Sequence, residues 1–261
     1  MRKKSIIVEL IIILSTLIVF CASKLIGIYN EYHEAEKEYE KLLEYIEEPE
    51  EKPKPETKQE PVKEEPYLKI DFAGLQQVNP EVVAWIQIPG VEISYPVAKG
   101  QDNSYYLSHL ITGEYSKSGS IFVDYHNQVD FSDENTIIYG HNMRDGSMFA
   151  ALDKYRNAEV CKDYPYFYIY VPGYVLEYQI ISCYAGHTGG MAYTYHFPEP
   201  SDFQKFLSVV MENANYDIGA GAEVTDRIVT LSTCVNSRRE YRYLVHGKLV
   251  RKIEDMELFE E

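Results

Sequence analysis

Residues 5–23 of this chain read SIIVELIIILSTLIVFCAS, and this run restricts what the molecule can be more than any other feature. About 20 consecutive apolar residues make a helix long enough to cross ~30 Å of hydrocarbon, and a helix apolar on every side suits lipid or a large protein interior. Arg2, Lys3 and Lys4 precede the run, so the positive-inside rule keeps the N-terminus in the cytoplasm and sends the remainder out. Glu9 lies near the cytoplasmic end, where its carboxylate can reach the interface. A cleavable signal peptide is the rival reading. Its apolar core is usually about 7–15 residues and ends in small residues, whereas Phe20-Cys21-Ala22-Ser23 is a poor cleavage site and bulky Phe20 argues against lipidation at Cys21. Residues 1–28 are therefore expected to form a cytoplasmic tip and an uncleaved transmembrane signal-anchor.

From Tyr29 to Glu48 the residues Tyr32, Ala35, Tyr39, Leu42 and Ile46 recur at helical steps, which predicts a stalk helix. A self-associating coiled coil would need more heptads. Residues 49–66 carry five prolines among Glu and Lys, too little apolar surface to fold, and read as a semi-stiff spacer. Residues 29–66 thus form a stalk and spacer, and 67–261 the main domain.

The 261 residues hold 25 Lys plus Arg against 41 Asp plus Glu, a net charge of −16. That acidity excludes a nucleic-acid binder, which needs a basic footprint. Four cysteines are too few for a disulfide scaffold, and no Cys-x-x-Cys pair suggests a zinc site. No metal or other cofactor is implied. The 24 tyrosines favour strands and half-buried surfaces. Strand-like runs fall at 83–88, 93–97, 120–125, 136–139, 166–171, 175–184, 227–232 and 241–250, with Pro172-Gly173 as a tight turn. Asn79-Pro80 reads as a helix start, and helical spacing recurs over 148–155 and 201–213, with Ser201 as cap and Phe203, Phe206, Leu207 and Val210 on one face. About eight strands with few, short helices predict a mainly β closed barrel or sandwich.

Cys234 ends the strand-like run IVTLSTC. Most single cysteines are buried small hydrophobes. This one lies where the chain turns outward, flanked by Ser232-Thr233 and Val235-Asn236, whose hydroxyls and backbone N–H groups are of the kind that hold developing oxyanions. Arg238, Arg239 and Arg242 follow within eight residues, and a hairpin could set Cys234 beside Arg242. A plain thiol, with pKa about 8.5, is mostly protonated at neutral pH, so a nucleophilic cysteine needs a histidine or cation. His33 lies in the stalk and His246 inside a strand. His109, His126, His187 and His196 are loop candidates, and His141, in NTIIYGHNM, follows a strand that breaks at Gly140.

NTIIYGHNMRDGSMFAAL, TLSTC with Arg242 eight positions on, and RYLVHGKLV together resemble a class B sortase, a membrane-anchored cysteine transpeptidase of Gram-positive bacteria. The resemblance runs from about Asn79 to Val250 and includes WIQIPG, the YPV at 95–97 and DNSYYL. It implies an eight-stranded sortase-type β-barrel with a few short helices, preceded by the transmembrane helix and stalk. His141, Cys234 and Arg242 fall on the family's catalytic positions, with Arg238 and Arg239 as rivals for the arginine. The implied activity is cleavage of a C-terminal sorting signal of the Asn-Pro-x-Thr-x or Pro-x-Thr-Gly type at Thr, through a thioacyl intermediate, and transfer to an amine of a peptidoglycan precursor or a pilin. The implied partners are surface proteins bearing that signal, the acceptor amine and the cell membrane. Asn103, Thr194, Ser232 and Thr233 are substrate-contact candidates by family position. Some relatives carry an acidic residue where Asn236 stands here. Cys161 and Cys183 could pair outside the cell, though two free buried thiols are the favoured state.

Two other readings compete. An exported cysteine hydrolase acting on cell-wall peptides fits the tether, but papain-like enzymes place the cysteine before the histidine and at a helix start. A non-catalytic surface-binding barrel that uses its tyrosines as a ligand face has no use for Cys234.

Overall fold

The structure is a computed structural model that describes residues 2–48, 67–235 and 238–254. The chain divides into two compact units, Met1–Lys41 and Leu42–Glu261. The first is occupied by α1 (Arg2–Leu42), which contains the whole of the apolar run. Leu10, Ile11, Ile12, Ile13 and Leu14, on all sides of the helix, are each more than half exposed. Ser15 and Thr16 fold their hydroxyls back onto the carbonyls of Ile11 and Ile12, at 2.8 and 3.0 Å, which hides polar groups that lipid cannot satisfy. By length and composition α1 is a candidate membrane span.

The helix does not run on to Glu48. A short 3-10 turn, Leu43–Tyr45, leads into a two-residue strand β1 (Ile46–Glu47), so Ile46 is strand rather than stalk. β1 pairs antiparallel with β2 (Lys69–Ile70), Ile46 opposite Ile70 and Glu47 opposite Lys69. Residues 42–48 therefore belong with the barrel, on its side of the 66/67 boundary drawn from composition. The spacer 49–66 lies outside the described residues, but its two flanks emerge side by side from one ladder. Helix α2 (Phe72–Val78) follows directly, capped by Asp71, whose carboxylate accepts from the Gly74 amide at 2.7 Å. A Cβ at Gly74 would stand 2.5 Å from the Tyr45 ring, so the glycine admits the aromatic that seats residues 42–48. Asn79 ends this helix rather than starting another. Its side-chain NH2 donates to the Tyr106 hydroxyl and the Ile111 carbonyl, at 2.9 and 2.8 Å, while its side-chain oxygen accepts from the Glu81 amide at 2.9 Å, so Asn79 caps a turn at Pro80-Glu81 rather than a helix.

Eight strands close the barrel: β3 (Val82–Ile88), β4 (Ile93–Ala98), β5 (Ile121–Val123), β6 (Asn135–Tyr139), β7 (Tyr166–Val171), β8 (Tyr174–His187), β9 (Ile228–Cys234) and β10 (Tyr241–Ile253). Around the barrel they run β10, β8, β7, β3, β4, β5, β6, β9 and back to β10. The pairs β4–β5 and β6–β9 are parallel, and the others antiparallel. All eight expected strands are present, and closure leaves the barrel itself no open edge.

Residues 149–156 form a 3-10 rather than an α-helix, burying Phe149, Leu152 and Tyr155 at the three-residue spacing that such a helix repeats. A one-turn helix α3 (Ala158–Asp163) follows. Helix α4 (Pro200–Glu212) begins one residue before the expected cap, with Pro200 in its first turn and Ser201 already inside. Its Phe203, Phe206, Leu207 and Val210 are buried together with Ile181 and Ile228 of the barrel. Cys161 and Cys183 are both buried free thiols.

Candidate active site

Strand register brings the chemistry together. β6 and β9 run parallel with Tyr139 opposite Ser232, and the Gly140 amide donates to the Ser232 carbonyl at 3.1 Å. Two residues beyond that pair stand His141 on one chain and Cys234 on the other. β9 and β10 run antiparallel with Cys234 directly opposite Arg242. His141, distant in sequence, thus meets Cys234 and Arg242, eight positions apart on one hairpin, at neighbouring strand ends on one rim. Gly140 makes the exit possible, since a Cβ there would lie 2.4 Å from Ile121 and 2.6 Å from the Phe149 ring.

His141 is fixed from both sides. Its Nε2–H donates to the Leu107 carbonyl at 2.7 Å, which leaves Nδ1 for the Cys234 thiol. Its own carbonyl accepts from the Phe149 amide at 2.9 Å. Asn142 donates to the Cys234 carbonyl at 2.8 Å and so ties the histidine segment to the end of β9. The hydrogen bond with His141 pulls the half-buried Cys234 thiol below its ordinary range; burial opposes this, and the charges of Arg242 and His141 assist. His141 moves the other way. Its bond with Cys234 raises it, burial and Arg242 oppose, and the Leu107 carbonyl assists. Opposite shifts in one contacting pair favour a thiolate beside an imidazolium, the activated form of a nucleophilic cysteine.

Arg242 is braced by its own hairpin, donating from one nitrogen to the Arg239 carbonyl at 2.9 Å and to the Tyr241 carbonyl at 3.1 Å. Arg238 lays its guanidinium over the Tyr241 ring, and neither it nor Arg239 lines the groove. Asn236 lies outside the described residues. The other histidines have separate settings. His246 is fully buried beside the Thr230 hydroxyl, 2.9 Å from Nδ1, and burial pushes its pKa down to about 3. His109 stacks on Tyr105, His126 bonds to Asp124 and His187 stands near Glu240.

His141, Cys234 and Arg242 open onto a groove of about 400 Å³. Three of the four substrate-contact candidates line it: Asn103, Ser232 and Thr233. The Ser232 hydroxyl bonds to Tyr193 at 2.9 Å, whereas the buried Thr233 hydroxyl has no partner among the described residues. Thr194 does not line the groove. The 3-10 turn Met191–Tyr193 ends beside it, and its carbonyl accepts from Asn135 at 2.8 Å. The neighbouring Tyr193 lines the wall instead, stacked parallel to Tyr139. Leu107, Tyr139, Thr188 and Tyr193 also line the groove; the quoted runs DNSYYL and YGHNM contain the first two, whereas nothing in the sequence singled out Thr188 or Tyr193.

The family profile described as the sortase domain matches residues 86–250. The chain belongs to the sortase family. Sortase B of Listeria monocytogenes is 41% identical over 189 residues, covering 71% of this chain and 76% of that protein. Sortase B of Staphylococcus aureus is 28% identical over 253 residues, covering 96% of this chain and 99% of its own. A crystal structure of sortase B from B. anthracis superposes with a TM-score of 0.71 at 32% identity, over 86% of this chain and 100% of that one. The protein is a class B sortase, a cysteine transpeptidase. The hydrolase and binding-barrel readings are set aside.

Proposed function

We propose that this sortase acts through Cys234 as nucleophile, His141 as general acid and base, and Arg242 as the fixed charge at the reacting carbonyl. The thiolate Sγ attacks the Thr backbone carbonyl carbon of a sorting signal, and the tetrahedral oxyanion forms where Arg242 stabilises it. His141 gives its Nδ1 proton to the departing amide nitrogen, the C–N bond breaks, and a thioester joins the Thr carbonyl to Cys234. An acceptor amine then attacks the thioester, His141 takes its proton, and the thiolate leaves. The supporting observation is the direct opposition of Cys234 and Arg242 across β9–β10, with His141 delivered to the same rim by β6.

Asn103, Ser232 and Thr233 are proposed as substrate contacts, and the unpartnered Thr233 hydroxyl gains its hydrogen bond from the bound peptide. The substrates are surface proteins with a C-terminal signal of the Asn-Pro-x-Thr-x or Pro-x-Thr-Gly type, and the acceptor is a peptidoglycan-precursor or pilin amine. Residues 1–28 anchor the protein with its N-terminus in the cytoplasm and the barrel outside, in keeping with the basic tip and the exposed apolar helix. The test is full-length protein in detergent with fluorogenic signal peptides, with and without an amine. Cleavage that couples product to the amine and disappears in Cys234→Ala is expected. Turnover that survives Cys234→Ala would refute the assignment.

A further inference from the structure

The bond between His141 and the Leu107 carbonyl is only as fixed as the segment carrying Leu107. That segment runs between β4 and β5 and turns through Asn103 to a 3-10 helix, Tyr105–Leu107. Tyr106 anchors its rear, with its hydroxyl on the Glu81 carboxylate at 2.6 Å. Its groove side is held differently. Asp124, one residue beyond β5 and 4% exposed, presents one carboxylate oxygen to two donors: the Asn103 amide at 2.7 Å and the Tyr139 hydroxyl at 2.8 Å. Its other oxygen accepts from His126, the backbone N–H at 3.0 Å and the ring Nδ1–H at 2.8 Å. Burial alone would raise this carboxyl, yet these four hydrogen bonds hold it below its ordinary value, so it stays an acceptor for all of them. Asn103 is held at its other end too, since its side-chain oxygen accepts from the Tyr125 amide at 3.0 Å, while the second N–H of its amide stays available to the groove.

The two groove-side donors belong to the two segments that frame His141. Asn103 opens the turn that ends at Leu107, and Tyr139 is the last residue of β6, two before the histidine. We propose that Asp124 is a positioning residue, clamping these segments together so that the Leu107 carbonyl meets His141 Nε2 and Nδ1 is aimed at Cys234. The proposal rests on the reading of His141 and Cys234 as the working pair. Asp124 touches neither, and acts through Asn103 and Tyr139. Asn is the informative replacement: it keeps the shape, but an amide has one acceptor oxygen and brings two N–H groups against a ring of donors.

The test is the pH midpoint for alkylation of Cys234 by iodoacetamide in the full-length protein in detergent, alongside kcat/KM on a signal peptide. His141→Ala is the reference and should raise the midpoint. Asp124→Asn should raise it in the same direction and lower kcat/KM by about tenfold to a hundredfold, the scale of a small misplacement of reacting groups. Tyr139→Phe, which removes one of the four bonds, should move the midpoint part of the way. A folded Asp124→Asn protein, melting cooperatively above the assay temperature with the wild-type midpoint, would overturn the clamp. Should that variant not fold, Tyr139→Phe decides: a wild-type midpoint overturns the proposal and a raised one supports it. If His141→Ala itself leaves the midpoint unmoved, the reading of the pair falls first and the clamp with it.

Discussion

At the scale of single residues, the account rests on two opposed shifts, a thiol drawn down and an imidazole drawn up by the bond they share. The sign sets the pH behaviour. A thiol held below its usual pKa of about 8.5 keeps its thiolate as pH falls past that value, so Cys234 should remain alkylatable where an ordinary cysteine is protonated. His141→Ala removes the largest favourable contribution and should move the alkylation midpoint upward. Arg242 provides a second residue-level check. Because it faces Cys234 across the hairpin while Arg239 lends only a carbonyl, Arg242→Ala should cut kcat/KM by about a hundredfold or more, on the scale of a lost oxyanion donor, and Arg239→Ala should stay near wild type. The reverse ranking would mean that the wrong guanidinium has been assigned. His141, Cys234 and Arg242 could be proposed from the sequence because the motifs YGHNM, TLSTC and RYLVHGKLV carry a family resemblance, and the fold brings the three to one groove. Asp124, Leu107 and Tyr193 could not, since their roles come from contacts between segments 15 to 39 positions apart, which no local pattern encodes.

At the scale of elements, all eight barrel strands were readable because β-branched and aromatic runs bounded by turn residues are local signals. The parallel pairing of β6 with β9, which makes the site, was not, because it joins segments whose register is set only when the barrel closes. Short elements with mixed cues were misread. FAGLQQV, with a glycine in its first turn, hid a helix, and Asn79-Pro80 does cap a turn, through the Glu81 amide, but the chain passes into a strand at Val82 before a helix can form. Residues 42–48 carry the clearest consequence. They bring buried Leu42, the Tyr45 ring against Gly74 and the β1–β2 ladder, so a protein starting at Tyr67 lacks part of its own domain. Burying one leucine contributes about 1.5–3 kcal/mol. At about 2–4 °C per kcal/mol for a domain of this size, a 67–261 fragment should melt several degrees below a 42–261 fragment. Equal melting temperatures would show that residues 42–48 add nothing.

At the scale of the molecule, composition suggested anchor, stalk, spacer and domain in series. The ladder of Ile46 with Ile70 changes the order of parts, because the chain reaches the barrel before the proline-rich segment and returns to it afterwards. Glu47 and Lys69, on either side of residues 49–66, are paired in one ladder, so shortening that segment is expected to leave the domain intact. Replacing it by a short turn from Glu48 to Tyr67 should leave the melting temperature and kcat/KM of the full-length protein near wild type. A large loss in either would restore the segment as a working connector. Removing residues 1–28 should release active protein from membranes, and a truncated form that still pellets with them would contradict the anchor. Both outcomes are secondary to whether the rim where β6, β9 and β10 end performs acyl transfer. Intact-protein mass spectrometry of the full-length enzyme, quenched in acid during turnover of a sorting-signal peptide without acceptor, tests that most directly. The account predicts a mass increase equal to the N-terminal peptide fragment through its Thr, mapped to Cys234 and discharged on adding an amine. Turnover with no adduct, or an adduct on any other residue, would contradict it.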